Sequence, residues 1–146
     1  MIVKRCFVLD QPVDAIDFAS ALAFVDERIK SGARAGTVLA VNPEKIITLK
    51  QNKFLADFFR DAALLIPDGI GVVGALRLQG EHVSRVPGAD LMQAICDLAA
   101  RKSYSIFLYG GKEEVSAKAA GELSLHYPGI RIAGRRNGYV RPEEQE

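Results

Sequence analysis

Short β-prone runs alternate with longer segments of helical periodicity along most of the chain. The predicted strands are residues 2–9, 37–41, 62–66, 104–109 and 130–134. The predicted helices are residues 13–30, 44–60, 70–79, 89–102 and 112–127. Because parallel strands need crossover connections of about a dozen residues or more, this alternation indicates βαβ units. It predicts an α/β fold of the Rossmann-like type, with a mainly parallel sheet and helices on both faces.

The length and composition are those of an ordinary soluble domain. The chain has 146 residues, of which 49% are hydrophobic and 25% are charged, and this is enough for a hydrophobic core. The net charge of +1 gives no argument for a nucleic-acid partner. No apolar run approaches the roughly 20 residues of a membrane span, and the N-terminus lacks the apolar core of a signal peptide. We therefore expect a single cytoplasmic domain over residues 1–146.

Cysteine and histidine are too sparse to suggest a metal centre. Cys6 and Cys96 lie far apart and form no CxxC motif, which favours a reducing compartment. The two histidines, His82 and His126, are interpreted as surface residues. A zinc site would be hard to assemble from these side chains, and we expect neither a metal nor a cofactor.

The third predicted strand ends in a Pro-Asp-Gly turn. The apolar run Leu64–Ile66 stops at Pro67-Asp68-Gly69, and a second apolar run begins at Ile70. In open α/β sheets, ligands bind at the carboxyl ends of strands, and a carboxylate at that place can serve as a general base. The alternative is that Asp68 only caps the next helix, since aspartate is a favoured N-cap residue.

Polar or glycine residues follow the other predicted strands as well. Asn42 follows the second strand, Gly110-Gly111 follows the fourth, and Gly138 comes after the fifth. Because the ends of parallel strands share one edge of a sheet, we expect these turns and Asp68 to converge on one pocket. Gly110-Gly111 suits a phosphate, since glycine lets the backbone approach and the following helix supplies N–H groups. The alternative is an ordinary helix start.

Two further side chains extend this set. Arg85 lies in a connector, and its guanidinium can bind a phosphate through two parallel hydrogen bonds; the alternative is a plain surface arginine. Tyr139 follows a glycine at a turn and can stack on a base or sugar, although a packing role fits equally well. One carboxylate, one arginine and glycine-rich turns together favour transfer from a nucleotide-diphosphate donor over hydrolysis or redox chemistry.

The order of the motifs resembles that of the WecG/TagA/CpsF glycosyltransferase family. The matching blocks are Asn42–Ile46, Ile66–Val73, Arg85–Leu91, Phe107–Gly111, Tyr127–Ile130 and Gly138-Tyr139. The resemblance covers about residues 2–140, and the PDGxGVV and RVxGxDL blocks are its most specific parts.

This resemblance implies transfer of an N-acetylmannosamine-type sugar from a UDP donor to N-acetylglucosamine on a polyprenyl diphosphate. It implies inversion at the anomeric carbon, no clear metal requirement, and products for teichoic acid, common antigen or capsule synthesis. It also implies a bacterial protein on the inner face of the cell membrane.

The resemblance also implies roles for individual residues. Asp68 corresponds to the family's base, which deprotonates the acceptor hydroxyl, and Arg85 to the arginine that steadies the diphosphate. Asn42 corresponds to the family's asparagine in the second-strand turn. With Asn42, the predicted substrate-binding residues are Gly69, Gly110, Gly111, Gly138 and Tyr139.

Two departures from the family pattern affect these expectations. The family often has a threonine two residues before the asparagine, and here that position is Ala40. Family members usually continue past the Gly-Tyr turn to a GxPxQE-type motif and a membrane-docking segment, and Glu143–Glu146 is not that motif. We therefore keep two alternatives, a nucleotide-sugar-binding module without turnover and a fragment that needs a partner chain. An uncovered sheet edge predicts self-association into a homo-oligomer.

Overall fold

The computed structural model describes residues 2–139, so Glu143–Glu146 lie outside the described residues. The strands are β1 Lys4–Val8, β2 Gln11–Ala15, β3 Val38–Val41, β4 Leu64–Pro67, β5 Ser105–Tyr109 and β6 Arg131–Arg136. The helices are α1 Phe18–Lys30, α2 Pro43–Gln51, α3 Lys53–Arg60, α4 Ile70–Leu78, α5 Gly88–Lys102 and α6 Glu113–His126. Across this part of the chain, no helix is long and apolar enough to cross a bilayer.

The strands pair two by two. β1 and β2 pair antiparallel, whereas β3 pairs with β4, and β5 with β6, in parallel. Each parallel pair is joined by a helical crossover, through α2 and α3 in the first case and α6 in the second. The prediction of a Rossmann-like α/β fold is confirmed.

The chain divides into two compact units, residues 1–92 and 93–146. The first unit contains β1 to β4 and α1 to α4, and the second contains β5, α6 and β6. Helix α5 begins in the first unit and continues into the second. The expectation of a single domain over 1–146 stays a prediction.

The predicted helix over 13–30 is wrong in its first residues, because residues 11–15 form β2. Leu9 and Asp10 have φ values of 49° and 67°, and two positive φ values in a two-residue loop are typical of a tight β-hairpin turn. The chain therefore folds back and pairs with β1. Helix α1 starts only after Asp17, whose side chain accepts a hydrogen bond from the Ser20 amide at 2.8 Å.

The predicted helix over 44–60 is two helices. Asn52 ends α2 and also caps α3, where its Oδ1 accepts a hydrogen bond from the Leu55 amide at 3.0 Å. Asparagine competes for backbone hydrogen bonds and so favours caps over helix interiors. The predicted segments 70–79, 89–102 and 112–127 agree with α4, α5 and α6 to within one residue at each end.

A buried carboxylate fixes β2 beside β4 in the first unit. Asp14 is 2% exposed. The Arg5 guanidinium donates to both of its oxygens, at 2.8 and 3.0 Å, and the Leu65 amide donates at 2.7 Å. A buried charge is tolerated when it is paired and hydrogen-bonded in this way. This contact secures the fully buried strand β4, from which the candidate site extends.

In the second unit, β5 and β6 keep a parallel register that shifts between Ile106 and Phe107. The predicted strand over 130–134 continues to Arg136, because Arg135 and Arg136 pair with the last residues of β5. Phe107 and Tyr109 are two residues apart on β5, so their side chains face the same side of the strand, and they are 59% and 68% exposed. One face of this strand therefore presents aromatic side chains at the surface.

Candidate active site

Asp68 stands directly after the last residue of β4. Its amide donates to the Val41 carbonyl at 2.9 Å, which extends the β3–β4 ladder by one bond and fixes the backbone at this point. Gly69 caps α4 with φ 145°, and no side chain caps that helix. The alternative reading of Asp68 as the cap of the following helix is therefore wrong.

The Asp68 carboxylate instead points to the connector between α4 and α5. Arg85 Nε donates to its Oδ1 at 3.0 Å, and the Gly88 amide approaches its Oδ2 at 3.4 Å. Because Gly88 is the first residue of α5, the carboxylate lies at the positive end of that helix. The Asp68 side chain is 22% exposed and that of Arg85 is 57% exposed. The Arg85 and Gly88 contacts therefore hold the Asp68 carboxylate in place, while the ion pair remains accessible to solvent.

Asn42 and Gly69 lie side by side at the same strand ends. Asn42 Oδ1 accepts from the Lys45 amide at 2.8 Å and caps α2, with Pro43 at the first helical position. A Cβ added to Gly69 would lie 3.1 Å from Pro43 Cδ and 3.7 Å from Asn42 Cβ. The close packing of the two turns thus requires glycine at position 69, both for space and for its positive φ.

Ala40 stands where the family that the chain resembles often has threonine, and it faces the start of α5. A Cβ added to Gly88 would lie 3.6 Å from Ala40 Cβ and 3.9 Å from Ile66 Cδ1. Sequence reasoning did not include Gly88 among the site residues, although its amide reaches Asp68. The PGAD sequence after Arg85, a typical helix start, is the signal that could have found it.

The second unit brings three of the predicted glycines together. The Gly110 amide donates to the Arg136 carbonyl at 3.0 Å, and the Gly138 amide donates to the Gly111 carbonyl at 2.8 Å. A Cβ on Gly138 would lie only 3.2 Å from Gly110 Cα. Gly110 and Gly111 have φ values of 125° and 69°, which favour glycine.

Tyr139 and Glu113 border this glycine cluster. The Tyr139 amide donates to Asn137 Oδ1 at 3.0 Å, and its side chain is 73% exposed. Glu113, at the first position of α6, accepts from the side-chain Nδ2 of Asn137 at 3.1 Å and pairs with Arg135. The hydrogen bond from Asn137, and to a smaller extent the contact with Arg135, lower the pKa of Glu113. A carboxylate therefore already occupies part of the helix end that was predicted to bind a phosphate.

The structure places Asn42, Asp68, Gly69 and Arg85 together in the first unit, and Gly110, Gly111 and Gly138 together in the second. The convergence of both groups on one pocket stays a prediction. Within residues 2–139, no three side chains of histidine, cysteine, aspartate or glutamate are grouped so that they could hold a metal ion. The expected independence of metals also stays a prediction.

A carboxylate–arginine pair at a strand end of an α/β fold is an arrangement that suits a group-transfer enzyme. The model of the glycosyl transferase WecG/TagA/CpsF family matches residues 6–146. The chain belongs to this family. Membership implies a glycosyltransferase of cell-surface polysaccharide synthesis, a family that in general uses nucleotide-sugar donors and lipid-linked acceptors.

Proposed function

We propose that the chain is an inverting glycosyltransferase that uses a UDP-N-acetylhexosamine, of the N-acetylmannosamine type, as its donor. Its acceptor is N-acetylglucosamine linked to a polyprenyl diphosphate, and its product enters teichoic acid or another cell-surface polysaccharide. The observation that carries the proposal is the Asp68 carboxylate, which is 22% exposed and held at 3.0 Å by Arg85 at the end of a buried strand.

Asp68 acts as the general base. It accepts the proton of the acceptor hydroxyl while that oxygen forms a bond to the anomeric carbon of the donor sugar. The bond from the anomeric carbon to the UDP oxygen breaks, and UDP leaves with the electron pair. Attack from the side opposite to UDP inverts the configuration.

Charge on the departing UDP is offset by cationic and backbone donors, and this is the electrostatic part of the catalysis. The Arg85 side chain is 57% exposed, so its guanidinium is accessible to a diphosphate. The Gly110-Gly111 turn lets a ligand approach the backbone closely because neither residue has a side chain of its own, and Gly138 and Tyr139 adjoin it. Asn42 aligns donor or acceptor by hydrogen bonding.

An apolar groove in the first unit supports a lipid-linked acceptor. It has a volume of about 470 Å³ and is lined by Val8, Leu9, Pro43, Ile46, Ile47, Gly71, Val72, Ala75 and Gln79. Pro43 and Gly71 lie in the first turns of α2 and α4, the helices that Asn42 and Gly69 cap. An apolar chain attached to the acceptor diphosphate would therefore find apolar surface next to the proposed base.

Action at the inner face of the cell membrane, in the cytoplasm, completes the proposal. Cys6 and Cys96 are both buried thiols, as expected of a reducing compartment. The exposed aromatic residues of β5 support self-association into a homo-oligomer. A concentration series by sedimentation would test that part, and a monomer at every concentration would contradict it.

A transfer assay tests the function. The chain is incubated with a panel of UDP-N-acetylhexosamines and a soluble lipid-diphosphate N-acetylglucosamine analogue, and the disaccharide is followed by mass spectrometry beside Asp68→Asn. We expect product with one donor and a loss of about 10²–10⁴-fold in the variant, the usual contribution of a general base. Full activity in Asp68→Asn would remove Asp68 as the base. UDP binding without any product would favour the alternative, a nucleotide-sugar-binding module.

A further inference from the structure

The hydrogen bond between Arg85 and Asp68 uses Nε, the atom of the guanidinium nearest the backbone. The terminal amino groups carry the other four of arginine's five N–H donors. The arginine can therefore hold the carboxylate and face a phosphate at the same time. A lysine ammonium lacks this planar fork and would not hold the two groups in a fixed relative orientation.

We propose that Arg85, besides meeting the diphosphate, is a positioning residue for Asp68 and fixes the orientation of its carboxylate toward the acceptor hydroxyl. This inference rests on the proposed function, since it assigns a further task to a residue of the same site. Gly88 completes the arrangement, which we call the carboxylate clamp and define as Asp68, Arg85 and Gly88.

The backbone next to the clamp is fixed. The Val86 amide donates to the Pro67 carbonyl at 2.8 Å, and this bond joins the residue after Arg85 to the residue before Asp68. Val86 is fully buried, at 0% exposure. Further back in the connector, Arg77 Nε donates to the carbonyl of the buried Val83 at 3.0 Å. These bonds fix the backbone next to Arg85, so the arginine side chain extends to Asp68 from a defined position.

The clamp leaves the carboxylate room to act. A carboxylate offers about four lone-pair sites, and Arg85 Nε and the Gly88 amide approach one on each oxygen, at 3.0 and 3.4 Å. The remaining sites can accept the hydroxyl proton. Since a base must lie within about 2.6–3.2 Å of the oxygen it deprotonates, fixing both oxygens restricts the direction from which the acceptor can approach.

Lysine at position 85 separates the two tasks of the arginine. It keeps a positive charge for the diphosphate but lacks the planar fork that holds the carboxylate while facing a phosphate. We expect Arg85→Lys to keep UDP affinity within about threefold of the wild type and to lower kcat about 10²-fold, the scale of a displacement of about 1 Å. Arg85→Ala should lower both. UDP affinity is measured by calorimetry and kcat by the transfer assay.

Arg101→Lys is the matched control. Arg101 also pairs with an aspartate, Asp97, and its side chain is 62% exposed. Exposed pairs of this kind contribute little to stability, so this variant should change neither UDP affinity nor kcat. If Arg85→Lys kept both kcat and UDP affinity at the wild-type values, a positive charge at position 85 would be sufficient for catalysis, and the positioning role would be overturned.

A spectroscopic test of the clamp needs no turnover. The Nε–H of Arg85 is observed by ¹⁵N NMR in the wild type and in Asp68→Asn, without substrate. We expect a shifted, slowly exchanging signal that moves toward the position of free arginine in the variant. An Arg85 signal that is the same in both proteins would overturn the clamp whatever the assay shows. If the signal moves but no donor is ever used, the proposed function fails while the clamp stands.

Discussion

The predicted site residues form two groups, one around the turn after β4 and one around the turn after β5, and the two groups are built differently. The turn after β4 presents side chains, because Asp68 and Arg85 pair at 3.0 Å above a fully buried strand. The turn after β5 is built from backbone, since Gly110 and Gly111 are held by bonds to Arg136 and Gly138. The first turn therefore suits proton transfer, and the second suits close approach of a ligand to the chain. The following predictions test this division of labour, from the largest expected effect to the smallest.

Gly69→Ala should have the largest effect on stability. Residue 69 has φ 145°, and an added Cβ would lie 3.1 Å from Pro43 Cδ. Such backbone strain costs about 1–3 kcal/mol, and the crowding adds to it, so we expect a clear fall in the unfolding midpoint in urea. Gly88→Ala is the control, because its Cβ would meet Ala40 at an ordinary 3.6 Å. Equal midpoints for the two variants would contradict the required close approach.

Gly138→Ala should destabilise the glycine cluster of the second unit. Its Cβ would lie 3.2 Å from Gly110 Cα and 3.3 Å from the Gly111 nitrogen, and backbone atoms cannot rotate away. We expect a loss of about 1–2 kcal/mol, within the usual range for a point mutation that overpacks its surroundings. Gly121→Ala in α6 is the control, since nothing lies within 4 Å of its added Cβ. That variant should be neutral or more stable, because alanine favours helix.

Asn42 has a structural task that can be separated from its proposed substrate contact. Asn42→Ala should cost about 1 kcal/mol, because it removes the cap that accepts from the Lys45 amide. Asn42→Asp keeps an oxygen for the cap and should unfold near the wild-type midpoint. If Asn42 also binds substrate, Asn42→Asp will be stable but slow in the transfer assay. A variant that is both stable and fully active would leave Asn42 as a cap alone.

Glu113 should give the smallest effect, and one that depends on pH. Its pKa is lowered by Asn137 and Arg135, so its stabilising contribution is present above the unfolded pKa and is lost as the pH falls through the folded one. We expect Glu113→Gln to lose a small part of the thermal stability at pH 7 and a smaller part at pH 3, in melts at low salt. Glu114→Gln is the control. A deficit of equal size at both pH values would contradict this linkage.

Much of the fold could be predicted from the sequence, because it depends on local patterns. The apolar run before Pro67 and the periodicity of α5 and α6 are strong signals, and these elements agree with the structure. The β1–β2 hairpin could not be predicted, because residues 13–17 also fit a helical period. What decides there is a long-range contact, the pairing of Asp14 with Arg5 and Leu65.

The candidate site shows the same limit. Asp68 and Arg85 were identified from sequence, and the structure brings them together. The Gly88 amide was missed because the PGAD sequence predicts a helix start but does not reveal which carboxylate the backbone amide will meet. The break at Asn52 was missed because asparagine within an amphipathic pattern does not reveal which residue's amide it will bind.

The division between the two turns is tested most directly by measuring UDP affinity and kcat in Asp68→Asn and Gly138→Ala side by side. The account predicts that Asp68→Asn binds UDP nearly as well as the wild type but transfers sugar about 10²–10⁴-fold more slowly. It predicts that Gly138→Ala binds UDP more weakly because the glycine cluster is displaced. If Asp68→Asn lost UDP binding while keeping turnover at saturating donor, Asp68 would be a donor contact and not the base, and the account would be wrong.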